Sequence, residues 1–201
     1  MKLYISPGAC SLSPHIVIHE AGLKAQIERV DLRAKTLKSD GSDYRTINSK
    51  GAVPALQLDD GQVLTEGAAI VQYLADQKPD SGLAPASGTM ERYRLQEWLN
   101  YIGSELHKSV GSLFNPALSE EMKKSTIATV GMRFEWVAGQ LDGKDYLMGK
   151  TFTVADAYLF TILGWTKYFK IDLAQWPNLK AYVERVGARA GVKAALAAEA
   201  A

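Results

Sequence analysis

Apolar and polar positions follow two different rhythms along the chain, and the change falls near residue 80. Leu3 to Ser6 has strand character and is stopped by Pro7-Gly8; a helix-like stretch carrying Ile16, Val17 and Ile18 follows and ends at Gly22. Ile27 to Asp31 reads as a short strand, and Leu32 to Asn48 as a polar segment without a clear period. Pro54 to Leu58 and Gln62 to Leu64 read as strands joined through Asp59-Asp60-Gly61, because Asp-Gly supplies the left-handed positions a hairpin needs. A helix from about Glu66 to Asp76 completes a β-α-β, (α), β-β-α order, which predicts one small mixed sheet with helices packed on it.

Lys78-Pro79-Asp80-Ser81-Gly82 and Pro85-Ala86-Ser87-Gly88 form the only concentrated Pro/Gly/Ser stretch, the composition of a domain boundary. Beyond it, helical periodicity runs through Tyr93, Trp98, Tyr101, Ile102 and Leu106, and again through Met132, Trp136 and Leu141. The pattern predicts a mixed α/β domain over 1–80 and an all-helical domain over 88–201. Thr153-Val154-Ala155-Asp156 has the form of a capping box with Asp in place of Glu, and the Ala-rich end, Ala194 to Ala201, reads as a fraying helix.

Composition narrows the class. A chain of 201 residues with 47% hydrophobic and 22% charged residues is neither disordered nor fibrous. One cysteine, Cys10, forms no internal disulfide, so a reducing cytoplasm is the expected compartment, and the N-terminal stretch meets Pro7 and Gly8 before a signal-peptide core develops. With 23 basic against 22 acidic residues there is no field to recruit a polyanion, so nucleic acid is not an expected partner. No apolar run approaches the ~18 residues of a membrane span, so no membrane partner is expected either. What remains is a small-molecule enzyme or a protein-binding module.

Cys10 lies where the first strand gives way to the first helix, and Pro14, tolerated in a first helical turn, places the thiol at or just before the helix N-terminus. Free N–H groups and the helix dipole there favour a thiolate, so an exposed, low-pKa thiol is expected. Cys10-Ser11-Leu12-Ser13 has the spacing of a redox C-x-x-C motif with a hydroxyl for the second sulfur, which favours monothiol over dithiol chemistry. Val53-Pro54 opens the third strand, where proline fits a sheet edge or a cis bond. Thr65-Glu66-Gly67-Ala68 puts a carboxylate and bare N–H groups at a helix start, a pairing that suits a zwitterion as well as it suits the helix dipole. His15 and His19 are four apart on the first helix, but nothing with matching spacing completes a metal site.

Ser6-Pro7-Gly8-Ala9-Cys10-Ser11-Leu12-Ser13-Pro14-His15 resembles the S/K-P-G-A-C-S motif of the bacterial beta-class glutathione transferases. The likeness continues through Asn48 to Leu56, Leu64 to Ile70, Glu97 to Ile102, Ser104 to Lys108 and Phe152 to Tyr158. The resemblance implies a thioredoxin-like N-terminal domain followed by an all-α C-terminal domain, the glutathione transferase fold, working as a homodimer with glutathione as co-substrate and no metal. It makes Pro54 a cis proline and offers Val53 to the cysteinyl part of glutathione as one more strand. It also implies that Glu66 with the N–H groups of Gly67 and Ala68 holds the γ-glutamyl end, that Lys35 faces the glycyl carboxylate, and that Ala9 and Cys10 lie beside the sulfur. His107, Lys108 and Trp165 would line the electrophile side, and Asn100 and Glu105 would approach the partner subunit's glutathione. Cys10, Ser11 and His107 are the catalytic candidates, Ser11 as a hydroxyl rival to the thiol. Gly67 departs from the serine many transferases carry there and leaves the γ-glutamyl grip to backbone donors.

Three functions fit these residues. The first is conjugation, in which glutathione thiolate attacks an electrophilic carbon. The second is thiol exchange or reductive dehalogenation through a mixed disulfide at Cys10. The third is a non-catalytic binding protein on the same fold.

Overall fold

In the computed structural model, which describes residues 1–200, the first unit begins with β1 (Lys2–Ile5), α1 (Leu12–Glu20), β2 (Gln26–Asp31), β3 (Thr36–Leu37), β4 (Ala55–Gln57), β5 (Val63–Thr65) and α2 (Gly67–Asp76). The five strands lie in the order β3-β2-β1-β4-β5, with β1 parallel to β2 and every other neighbouring pair antiparallel. Leu3 on central β1 is in register with Ile27 on β2 and Leu56 on β4. Successive β1 residues face opposite sides of the sheet, and Leu3, Tyr4 and Ile5 are all buried, so both faces are covered. On one face Tyr4 packs with Val30, Leu37, Tyr44, Val53 and Ala55. Ile16 and Val17 of α1 and Ile70 and Leu74 of α2 are fully buried and supply apolar cover for the other.

The polar segment 32–48 contains β3 and a single 3₁₀ turn, Tyr44–Thr46, neither of which the sequence pattern separates. Two strand residues are too few to show an alternation; Leu37 and Tyr44 are single apolar anchors. Gly22 ends α1 at φ +64°, as its position predicts.

The second unit, Pro85–Ala188, is helical: α3 (Met90–Tyr101), a π-helical segment (Ile102–His107), α4 (Lys108–Ser112), α5 (Glu120–Gln140), α6 (Val154–Leu163) and α7 (Pro177–Gly187). Thr89 and Ser119 cap α3 and α5 through their hydroxyls. The capping box at α6 is present. Buried Asp156 accepts from the Thr153 N–H and hydroxyl, from the Leu147 N–H and from the Tyr182 hydroxyl. Burial pushes its pKa up while these four donors pull it down.

The chain end departs from expectation. Residues from Arg189 onward group with the first unit, so the helical domain does not run from 88 to the end. The Ala-rich stretch is not a frayed tail but a docked helix, α8 (Ala190–Ala200), packed on α1. Arg189 clasps Glu20 through two hydrogen bonds of 3.0 and 2.6 Å. Gly191 lets the helices approach, since a Cβ there would lie 2.7 Å from the Glu20 side chain. Alanine supplies little apolar area, but small residues permit close packing, and the polar contacts fix the register.

Candidate active site

In the first unit the predicted residues gather at the β1–α1 corner and the two segments facing it. The Val53-Pro54 bond is cis. The Val53 carbonyl accepts the Cys10 thiol at 3.2 Å, and among the described residues the Val53 N–H has no acceptor. Glu66 sits at φ +70°, a left-handed position for a non-glycine residue, and precedes α2 without capping it through its side chain. The N–H groups of Gly67 and Ala68 are thus the uncapped first donors of α2. A carboxylate beside such donors can hold an ammonium and a carboxylate together, so the residues fit the zwitterionic end of a γ-glutamyl peptide. A Cβ on Gly67 would meet only Pro54 Cγ, at 3.8 Å, so crowding does not impose glycine there.

Cys10 differs from its sequence reading. The thiol is half-buried, and burial pushes its pKa up to about 11, against the Cys10 and Ser11 N–H groups, which pull it down. The helix begins at Leu12 with Ser11 in the cap position, so the thiol stands one residue outside the strongest part of the dipole. Ser11 is wholly buried; its hydroxyl donates to the Ser6 carbonyl and accepts from the Ser6 N–H, both at 3.1 Å. Its hydroxyl closes the corner, an arrangement that does not favour the catalytic role the resemblance offers it. Ala9 is partly buried against the Tyr4–Tyr44 cluster. Lys35, at φ +61°, reaches the Gly51 carbonyl with its ammonium at 2.8 Å.

Two neighbours escaped the sequence reading. Lys50 forms an ion pair with Glu66. Glu199 of α8, buried, accepts the Gly8 N–H at 2.8 Å and faces His15 Nδ1 at 3.1 Å. His15 is therefore part of a buried pair under the Cys10 corner, its ring 5.1 Å from that of His19. Neither partner was accessible from local pattern: Lys50 lies 16 residues from Glu66, and Glu199 lies 184 from His15.

In the helical unit the structure sorts the candidates into two groups. His107 Nδ1 lies 2.6 Å from the Tyr158 hydroxyl, and its ring meets Trp165 edge-on at 5.0 Å. Phe114 continues the cluster, 5.7 Å from Trp165 and 5.8 Å from Tyr168, and both Phe114 and Tyr168 are exposed. Lys108 does not join this group. It lines a polar groove of about 380 Å³ with Glu105, Arg133 and several hydroxyls. Glu105 is paired within its own chain, its carboxylate accepting both Nε and Nη2 of Arg133 while Arg133 Nη1 donates to Ser109. Asn100 is exposed near the end of α3. Tyr158, Phe114 and Arg133 are the residues the sequence reading missed here.

Residues 8–77 match the glutathione S-transferase N-terminal domain and residues 101–190 the glutathione S-transferase C-terminal domain. The chain is 45% identical over 199 residues to glutathione S-transferase GstA of Escherichia coli O157:H7, covering 99% of this chain and 98% of that one. It is similar to the solved structure of a bacterial beta-class glutathione S-transferase from Sphingomonas chungbukensis, with 47% identity, a TM-score of 0.95 and coverage of 99% and 98%. A sphingomonad glutathione S-transferase solved in complex with glutathione is also 47% identical, with a TM-score of 0.96 and coverage of 100% and 99%.

Proposed function

The chain belongs to the beta class of the glutathione S-transferase family, with glutathione as its co-substrate, and from that premise we propose how its residues share the work of conjugation. The observation that carries the assignment is the junction of cis Val53-Pro54 with the uncapped start of α2. Val53 offers its N–H to the cysteinyl part of glutathione as an added strand would. Glu66 accepts the γ-glutamyl ammonium, and the Gly67 and Ala68 N–H groups take the carboxylate. Lys35 faces the glycyl carboxylate.

In the reaction the substrate thiol loses its proton to solvent, the thiolate attacks an electrophilic carbon, the C–S bond forms and the leaving group, for example halide, departs with the bonding pair. Cys10, held protonated at neutral pH, acts as a donor toward that sulfur rather than as a nucleophile, by turning its one S–H from the Val53 carbonyl. His107, braced by Tyr158, polarises the electrophile, and the exposed rings of Phe114 and Tyr168 suit an aromatic one. Thiol exchange or reductive dehalogenation through Cys10 is the alternative, and its need for a thiolate conflicts with the raised thiol pKa.

The pair Trp98–Trp136, 5.5 Å apart, and Tyr101 beside Trp136 at 4.6 Å form an aromatic patch on α3 and α5 with exposed Met132 nearby on α5. Such a patch supports a homodimer, in which Asn100 would approach the partner's glutathione. Leu106, on the same periodic stretch, is buried in its own chain and takes no part in the patch. No helix among the described residues is long and apolar enough to cross a membrane, and the lone cysteine fits a cytoplasmic enzyme that disarms electrophiles.

The deciding experiment is calorimetric titration of Glu66→Ala with glutathione. Loss of a charge-assisted partner costs about 1.5–3 kcal/mol, so Kd rises by roughly tenfold or more. An unchanged Kd rejects the γ-glutamyl assignment.

A further inference from the structure

Glu66 already has a cation. Lys50 Nζ pairs with Glu66 Oε1 and donates to the Thr65 hydroxyl at 2.8 Å, so two adjacent residues at the end of β5 hold it. The root of Lys50 is fixed by a built turn. Its N–H donates to Asn48 Oδ1 at 3.2 Å, and buried Asn48 in turn donates through Nδ2 to the Ala52 carbonyl at 2.7 Å. Both charged side chains are well exposed, at 50% and 73%, so the lysine arm can leave without disturbing its turn. Lys35 is different, since its ammonium rests on the neutral Gly51 carbonyl.

We propose that Lys50 is a resident counter-ion of the glutathione site, which holds Glu66 until the ligand's α-ammonium replaces it. The inference rests on the reading that Glu66 receives that ammonium. Two cations then compete for one carboxylate, and the affinity for any γ-glutamyl thiol is lowered by the free energy of the pair that must open. Lys50 thus tunes ground-state binding of ligands that carry an α-ammonium and is indifferent to those that lack it. An exposed pair of this kind is worth little, so the effect is a modest factor, screened by salt.

The test is calorimetry of the full-length protein with glutathione and with its des-amino analogue, in which hydrogen replaces the α-amino group. Lys50→Met is expected to tighten glutathione about two- to fivefold at low salt and to leave the des-amino analogue unchanged. In the Glu66→Gln background the Lys50→Met effect on glutathione should vanish, because the contested carboxylate is gone. Weaker glutathione binding in Lys50→Met would mean that the lysine serves the ligand's carboxylate and would overturn the proposal; so would equal tightening of both ligands. If Glu66→Gln itself does not narrow the difference between glutathione and the des-amino analogue, the γ-glutamyl assignment fails, a result distinct from either of these.

Discussion

Cys10 should react slowly with disulfides at neutral pH, and the size of the deficit follows from its surroundings. With the pKa pushed up to about 11, the thiolate fraction at pH 7.5 is about 0.03%, against about 9% for an ordinary thiol of pKa ~8.5, a ~300-fold shortage. A more basic thiolate is intrinsically more nucleophilic, by roughly tenfold for this difference, so the net deficit is about 30-fold. The assay is the rate of reaction of native protein with 5,5′-dithiobis(2-nitrobenzoate), measured from pH 7 to 11 with Cys10→Ala as the blank. The rate should climb about tenfold per pH unit to pH 10, without a plateau. The same shift has a consequence for stability. A raised folded-state pKa contributes stability that is fully present below the unfolded pKa and is lost as pH rises toward 11. Between pH 8 and 10.5 wild type should therefore lose on the order of 2 kcal/mol more than Cys10→Ala in urea melts. Conjugation of an aryl halide, whose nucleophile is the sulfur of glutathione, should retain a good part of its rate in Cys10→Ala. A reactivity plateau with a midpoint at or below pH 8.5 would refute the reasoning and restore Cys10 as a thiolate.

Other perturbations test the remaining contacts. Gly67→Ser should tighten glutathione, because the position has room for a Cβ and a hydroxyl adds one hydrogen bond of about 0.5–1.5 kcal/mol, read as a lower Kd by calorimetry. Glu199→Ala, which strips the Gly8 N–H and His15 of their shared acceptor, should cost about 2–4 kcal/mol in urea unfolding, and Glu199→Gln less. Tyr158→Phe should lower kcat for conjugation several-fold and move its pH profile while leaving the glutathione Kd unchanged, since it removes the hydroxyl 2.6 Å from His107 Nδ1. If the aromatic patch is the surface of the proposed homodimer, wild type should have a dimer mass and Trp136→Arg a monomer mass by light scattering at micromolar concentration, because the substitution puts a charge into the patch.

What could be read from the sequence was what local rules decide. The end of β1 before Pro7-Gly8, the end of α1 at Gly22, the hairpin at Asp59-Asp60-Gly61 and the Thr153–Asp156 cap each depend on a few adjacent residues, and all are present. The thiol shows a local rule losing. A helix start favours a thiolate by up to about 1 kcal/mol, whereas burial raised this pKa to about 11, a larger effect of opposite sign set by how Val53 and the corner close over it. Pairings across the chain were invisible for the same reason. Nothing near Ala-rich α8 announces that its one buried acid will meet His15, and nothing near Glu66 announces Lys50.

The helical unit hides its decisive feature in a different way. The apolar rhythm through Trp98, Tyr101, Ile102 and Leu106 reads as an uninterrupted helix, and the backbone does continue from α3 to α4, but through a π-helical stretch over Ile102–His107. A π turn holds more residues than an α turn and so changes which side chains share a face, without leaving a mark in composition. Glu105 and Lys108 face the polar groove with Arg133, while His107 turns to Tyr158 and Trp165. The family resemblance implies that His107, Lys108 and Trp165 line the electrophile side together. Lys108 lines the hydrophilic groove in which Glu105 and Arg133 pair with each other, whereas His107 presents its imidazole within an aromatic group, the setting that the proposed electrophile role needs.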